Sequence, residues 1–160
     1  MISKLIIHNY AIIEQLELEF NAGFNIITGE TGAGKSIILG ALNLLLGHRF
    51  ESINFKNKSK KSMIEGVFNI SELDIQSFFL DNNLDYDDEL IIRREFVFEG
   101  KSRAFLNDSP VKLDILKSLA FSLVDVHSQH ENLLINNHDF QITLLDQFSK
   151  NTFRDFSNIM

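Results

Sequence analysis

Gly29-Glu30-Thr31-Gly32-Ala33-Gly34-Lys35-Ser36 is the stretch that decides how this 160-residue chain is read. A crowded polyphosphate is held closely only where backbone N–H groups point inward and no side chain blocks the approach, which is what glycines at 29, 32 and 34 allow. Lys35 then stands where an ammonium reaches the β and γ phosphates, and the Ser36 hydroxyl stands where it ligates Mg²⁺. Residues 29 to 36 therefore read as a P-loop that binds ATP with Mg²⁺, with all eight residues, Glu30, Thr31 and Ala33 included, lining the nucleotide.

The flanking sequence supports that placement. Phe24 to Thr28 is a short apolar, β-branched run of the kind found in a buried strand. After Lys35, the residues Ile37, Ile38, Ala41, Leu42, Leu44, Leu45 and Leu46 follow helical spacing, and Gly47 is a natural C-terminal stop. Strand, glycine-rich loop and helix thus occur in the order a phosphate-binding α/β fold requires.

Outward from this unit, residues 2 to 8 and 14 to 20 read as strands, the second alternating Leu16, Leu18 and Phe20 with Glu17 and Glu19. Met63 to Ile70 predicts another strand. Ser71, with Glu72 and Asp74, predicts a capped helix to about Asp81, and 82 to 88 a polar loop. Leu90 to Phe98 and Ser102 to Leu106 predict a hairpin turning at Glu99-Gly100. Ser109-Pro110 predicts an N-cap and first helical residue, opening a helix to about Phe121. Leu123 to His127 predicts a short buried strand, and the pattern beyond Asn136 is helical.

Composition bounds the rest. The hydrophobic fraction of 44% suffices for one sizeable core, and the 15 phenylalanines serve mainly as apolar filling. A formal charge of −7 argues against binding nucleic acid through an overall positive field. Lys56, Lys58, Lys60 and Lys61 form the only dense basic cluster and read as a solvated loop. Arg93, Arg94, Lys101 and Arg103 lie on the expected hairpin, where a solvated face is the plainer reading and phosphate contact the sharper one. With no cysteine there is no disulfide or thiolate chemistry, which fits a reducing cytosol. Nothing resembles a signal peptide or a membrane span.

A P-loop does not choose a reaction. Asp125, at the end of the Leu123-Val124 run, is one candidate Mg²⁺ partner, and with Lys35 and Ser36 it would make a self-contained small kinase. Gln129, in Asp125-Val126-His127-Ser128-Gln129-His130-Glu131, lies just past a buried run, where active-site loops of open α/β sheets sit. Tyr10 is open to two readings, stacking on a base or packing in the core.

Several segments together resemble the family of the bacterial DNA-repair ATPase RecN: Ile7-His8-Asn9-Tyr10-Ala11-Ile12-Ile13-Glu14, the P-loop extended by Thr28, Leu44-Leu45-Leu46-Gly47, Arg93-Arg94-Glu95, Gly100 to Asn107, and Val126 to Glu131. Related SMC proteins usually carry Pro-Asn-Gly-Ser where this chain has Glu-Thr-Gly-Ala. Ser128 stands where the RecN family usually has glycine, a change that stiffens the loop without altering the Gln129 side chain.

The resemblance implies the N-terminal lobe of an ABC/SMC-type ATPase head, an α/β P-loop NTPase with a mixed β-sheet and flanking helices. Residues 1–145 would form that half-head and 146–160 the start of a coiled-coil helix. Gln129 would contact Mg²⁺ or the attacking water beside the γ-phosphate. The signature motif, acidic pair and switch histidine would come from a C-terminal lobe and a second head in a homodimer. The sequence contains no Gly-Gly pair and no hydrophobic run ending in Asp-Glu. DNA would be engaged through the full-length protein, in the cytoplasm and at the nucleoid.

Overall fold

Alternation of apolar and polar residues builds the sheet. β1 (Ile2–Tyr10) folds back on β2 (Ile13–Glu19), and on its other edge pairs with β3 (Ser62–Asn69), which pairs in turn with β4 (Glu89–Phe96). β5 (Ser102–Leu106) and β6 (Ser109–Val111) complete a six-stranded sheet in the order β2-β1-β3-β4-β5-β6, with every neighbouring pair antiparallel. The computed structural model describes residues 1–29, 34–50, 55–97 and 100–124, which fall within one compact unit, Met1–Asp125. The expected strand beyond Val124, the helical pattern after Asn136, and the boundary at 145–146 lie outside the described residues.

Register carries one apolar face across the sheet. Leu18, Leu5, Gly66, Ile92 and Leu106 are successive partners, and so are Leu16, Ile7, Ile64, Arg94 and Ala104. A slip of one residue in any strand would turn its apolar set to the other face, so the pattern fixes the pairing. The helices α1 (Lys35–Leu45), α2 (Gln76–Asp81) and α3 (Leu113–Leu123) add Ala41, Leu44, Leu45, Phe79, Leu116, Leu119 and Ala120 to the core. α1 comes close because β3 offers a glycine beneath it: a Cβ on Gly66 would stand 2.6 Å from Leu45 Cδ2.

The opposite face carries charge. Lys4 pairs with Glu17, while Arg93 lies near Glu65 and Glu95, bonds Asp108 at 2.9 Å and sits 4.7 Å over the Phe105 ring. The lysine-rich loop is anchored from beneath by Asn9. Its side chain donates to the carbonyls of Asn57 and Lys60 at 2.8 and 2.9 Å and accepts from Asn57 N at 2.7 Å, which leaves Lys58, Lys60 and Lys61 on the exposed side.

Four expected elements differ. Phe24 to Thr28 forms no strand, and Phe24 is 88% and Ile26 70% exposed. Apolar composition marks what a segment can bury, whereas a buried strand also needs neighbours, and no described strand pairs with this one. At Ser71 the hydroxyl donates to Asn69 Oδ1 at 2.7 Å instead of capping a helix, so the chain turns through 70–75 and α2 starts at Gln76. Ser109-Pro110 lies in β6, and α3 begins after Lys112 with no side-chain cap. Asn107 and Asp108 both take positive φ, 44° and 64°, which makes the tight turn joining β5 to β6. Proline is tolerated there because β6 is the edge of the sheet. The residue Leu123, expected in a strand, ends α3, and Val124 leaves it in extended conformation.

Candidate nucleotide-binding site

The site is built on the N-terminus of α1. Gly34 is its N-cap, with φ 93° and ψ 0°, a left-handed conformation that costs an L side chain roughly 1–2 kcal/mol. Its carbonyl accepts from Ile37 N and Ile38 N, both at 3.0 Å, which starts the helix. No side chain caps this end and no acidic residue occupies the first turn, so the positive end of the helix has no internal counter-charge among the described residues. A Cβ placed on Gly34 would meet nothing within 4 Å. The space beside Gly34 at the start of α1 is therefore open, and a helix N-terminus is a place where an anion is favoured.

Lys35 is the first helical residue, and its Nζ donates to the carbonyl of Gly29. This bond ties the first residue of α1 back to Gly29. Ser36 follows on the first turn with its side chain exposed. Ammonium, hydroxyl and helix terminus suit a nucleotide phosphate with a Mg²⁺ that keeps most of its ligands from phosphate and water. Of the expected site, the structure places Gly29, Gly34, Lys35 and Ser36 together. Glu30, Thr31, Gly32, Ala33, Asp125 and Gln129 lie outside the described residues.

Tyr10 is a core residue, 6% exposed, and its hydroxyl would stand 3.0 Å from a Cβ on Gly40 of α1. Burial pushes its phenol pKa up. The packing reading of this residue is the one the structure supports.

Arg94, expected with Arg93, Lys101 and Arg103 on a solvated face or at phosphate, is instead 1% exposed. Its Nη1 donates to the carbonyls of Leu44 at 2.6 Å and His48 at 2.9 Å, its Nη2 to Ser102 Oγ at 3.1 Å, and its guanidinium lies 4.7 Å from the centre of the Phe96 ring. Burial lowers its pKa to about 10, so it stays cationic at neutral pH. The signal was present in the sequence: Leu90, Ile92, Arg94 and Phe96 share one face of an alternating strand.

The family described as AAA domain matches residues 4–158. The chain belongs to this AAA domain family. Among curated relatives, this AAA domain is 40% identical to the DNA repair protein RecN of Vibrio cholerae over 150 residues, which covers 93% of the chain and 27% of that protein. It is 37% identical to the DNA repair protein RecN of Bacillus subtilis, over 93% of the chain and 26% of that protein. The chain thus spans about a quarter of the length of the curated relatives it matches.

Solved structures agree on the fold. A chain from a study of ATP-driven dimerization and DNA stimulated activation of SMC ATPases superposes with a TM-score of 0.66 at 21% identity, covering 91% of this AAA domain and 97% of that chain. An Smc head domain from Pyrococcus furiosus gives 0.62 at 24% identity over 76% of this chain and 32% of its own. The recombination mediator protein RecF bound to ATP gives 0.54 at 21% identity over 69% and 28%. The fold is that of an SMC- and RecF-like ATPase head lobe, a P-loop α/β structure.

Among the described residues no helix is long and apolar enough to cross a membrane, and no group of three or more His, Cys, Asp or Glu side chains is placed to hold a metal ion.

Proposed function

We propose that the chain is the ATP-binding half of a RecN-type, SMC-like ATPase head acting in DNA double-strand break repair and recombination. The observation that carries this reading is the left-handed Gly34 opening α1, with Lys35 tied back to Gly29, in a chain 40% identical to a DNA repair protein RecN. On arrival of ATP, the Lys35 ammonium exchanges the Gly29 carbonyl for β- and γ-phosphate oxygens, and backbone N–H groups of 29–36 surround the phosphates. Mg²⁺ would supply positive charge beside the phosphates when bound. Ser36 and Gln129 are its protein ligands in this reading, with Gln129 also sensing the γ-phosphate.

Hydrolysis needs more than these residues supply. Residues 1–145 are assigned to the half-head and 146–160 to the start of a coiled coil. The C-terminal lobe of the same head and a second head in a homodimer complete the site, DNA is met through the whole protein, and the setting is the cytoplasm and nucleoid.

The expected result is negligible ATP turnover by the 160-residue chain alone, with activity gained when the C-terminal head segment is supplied in trans. Robust turnover by the chain alone, abolished in Lys35→Ala, would overturn the half-site reading.

A further inference from the structure

We propose that Arg94 is the positioning residue of the phosphate site, holding the far end of α1 and thereby setting where Gly34, Lys35 and Ser36 stand. The inference rests on the nucleotide reading of the loop. Three observations converge on the C-terminal end of that helix. The helix closes with Leu46 N bonding Leu42 O, Gly47 N bonding Leu44 O, and His48 N bonding Asn43 O. The Leu44 and His48 carbonyls also accept from the buried Arg94, whose other branch is fixed on Ser102 of the neighbouring strand β5. Gly47, at φ 103°, leaves room for α3: an added Cβ would lie 2.6 Å from Lys117 Cγ.

α1 has 11 residues and is about 16 Å long, short enough to move as a rigid rod. Its N-terminal end holds the phosphate loop, and its C-terminal end is gripped by a guanidinium rooted in the centre of the sheet. Arg94 also places a cation at the negative end of the same helix dipole whose positive end meets phosphate. Along its length α1 is seated by Leu45 over Gly66 and by Tyr10 against Gly40, and at its C-terminal end Arg94 adds the polar grip that fixes its axial position. Only a planar fork spans two carbonyls and a hydroxyl at once, so lysine at 94 is a partial substitute.

The test is a titration of a fluorescent ATP analogue with Mg²⁺ into the 160-residue chain and its variants, alongside urea unfolding. Arg94→Met is expected to raise Kd tenfold or more and Arg94→Lys three- to tenfold. Phe79→Leu, a change in the buried core on α2, should lower the unfolding midpoint while leaving Kd within twofold of wild type. If Arg94→Met does not fold, Arg94→Lys and Ser102→Ala decide, the latter removing one anchor of the guanidinium at an exposed residue, with an expected two- to fivefold rise.

Folded Arg94 variants that bind within twofold of wild type would overturn the proposal. So would an equal loss of affinity in Phe79→Leu at equal destabilisation. Failure of the wild type itself to bind, or binding indifferent to Lys35→Ala, would instead refute the nucleotide reading, and this inference with it.

Discussion

Lys35→Ala is expected to weaken binding of MgATP to the chain by at least about a hundredfold while leaving its unfolding midpoint nearly unchanged. The two halves of that result have separate causes. Each charge-assisted hydrogen bond to phosphate contributes roughly 1.5–3 kcal/mol, and in the proposed pose the ammonium reaches two phosphates, so a loss of about 3 kcal/mol or more corresponds to two decades or more in Kd. In the folded chain without ligand, Lys35 is exposed and its bond to the Gly29 carbonyl lies at the surface, where its removal costs little stability. Calorimetric titration beside a thermal melt separates the two. Affinity within about threefold of wild type, under about 0.7 kcal/mol, would mean that the ammonium does not touch phosphate.

Phe96→Ala is expected to be the most damaging core substitution. Phe96 is fully buried at the end of β4, its ring centre 4.4 Å from that of Phe50, with the Arg94 guanidinium over its face. Phe50 in turn meets Phe55 edge-on at 5.3 Å, so one ring supports both flanks of the segment joining α1 to β3. Truncating a buried phenylalanine costs about 3–5 kcal/mol, and the lost cation–π contact adds roughly 0.5–2. Against a total stability of about 5–15 kcal/mol for a domain, urea denaturation should show a marginal or unfolded chain at 37 °C. A loss under about 1 kcal/mol would show that the aromatic cluster does not bear on the junction of sheet and helix.

What the sequence made legible follows from how local each signal is. The alternation in 2–8, 14–20, 63–70 and 90–98 became β1, β2, β3 and, as far as Phe96, β4 because period-2 burial is written in every strand that faces one core. α1 and its stop at Gly47 were equally local. Ser109-Pro110 misled because it satisfies a helix start and an edge strand alike, and the deciding signal sat two residues earlier, in the positive-φ pair Asn107-Asp108. Phe24 to Thr28 misled for a different reason. Its apolar residues say that it is fit for burial, and whether it is buried depends on a neighbouring strand that no local pattern specifies.

The candidate site divides along the same line. Gly29, Gly34, Lys35 and Ser36 could be read directly, since a phosphate loop is a contiguous motif whose glycines have a conformational reason to be there. Arg94 could not be assigned from the motif, because its partners Leu44, His48 and Ser102 come from α1, the turn after it, and another strand. Period-2 alternation carries the sign of its burial, which the expectation of a solvated face at 93, 94, 101 and 103 passes over, and only the packing of α1 shows that a buried cation there meets a helix C-terminus.

The most direct measurement is a titration of MgATP into the isotopically labelled chain, following backbone amides by NMR. Saturable shifts are expected, largest at Gly29 and at Gly34 through Ile38, and abolished in Lys35→Ala. Saturable shifts centred elsewhere, or none at millimolar MgATP, would contradict the nucleotide reading of the loop.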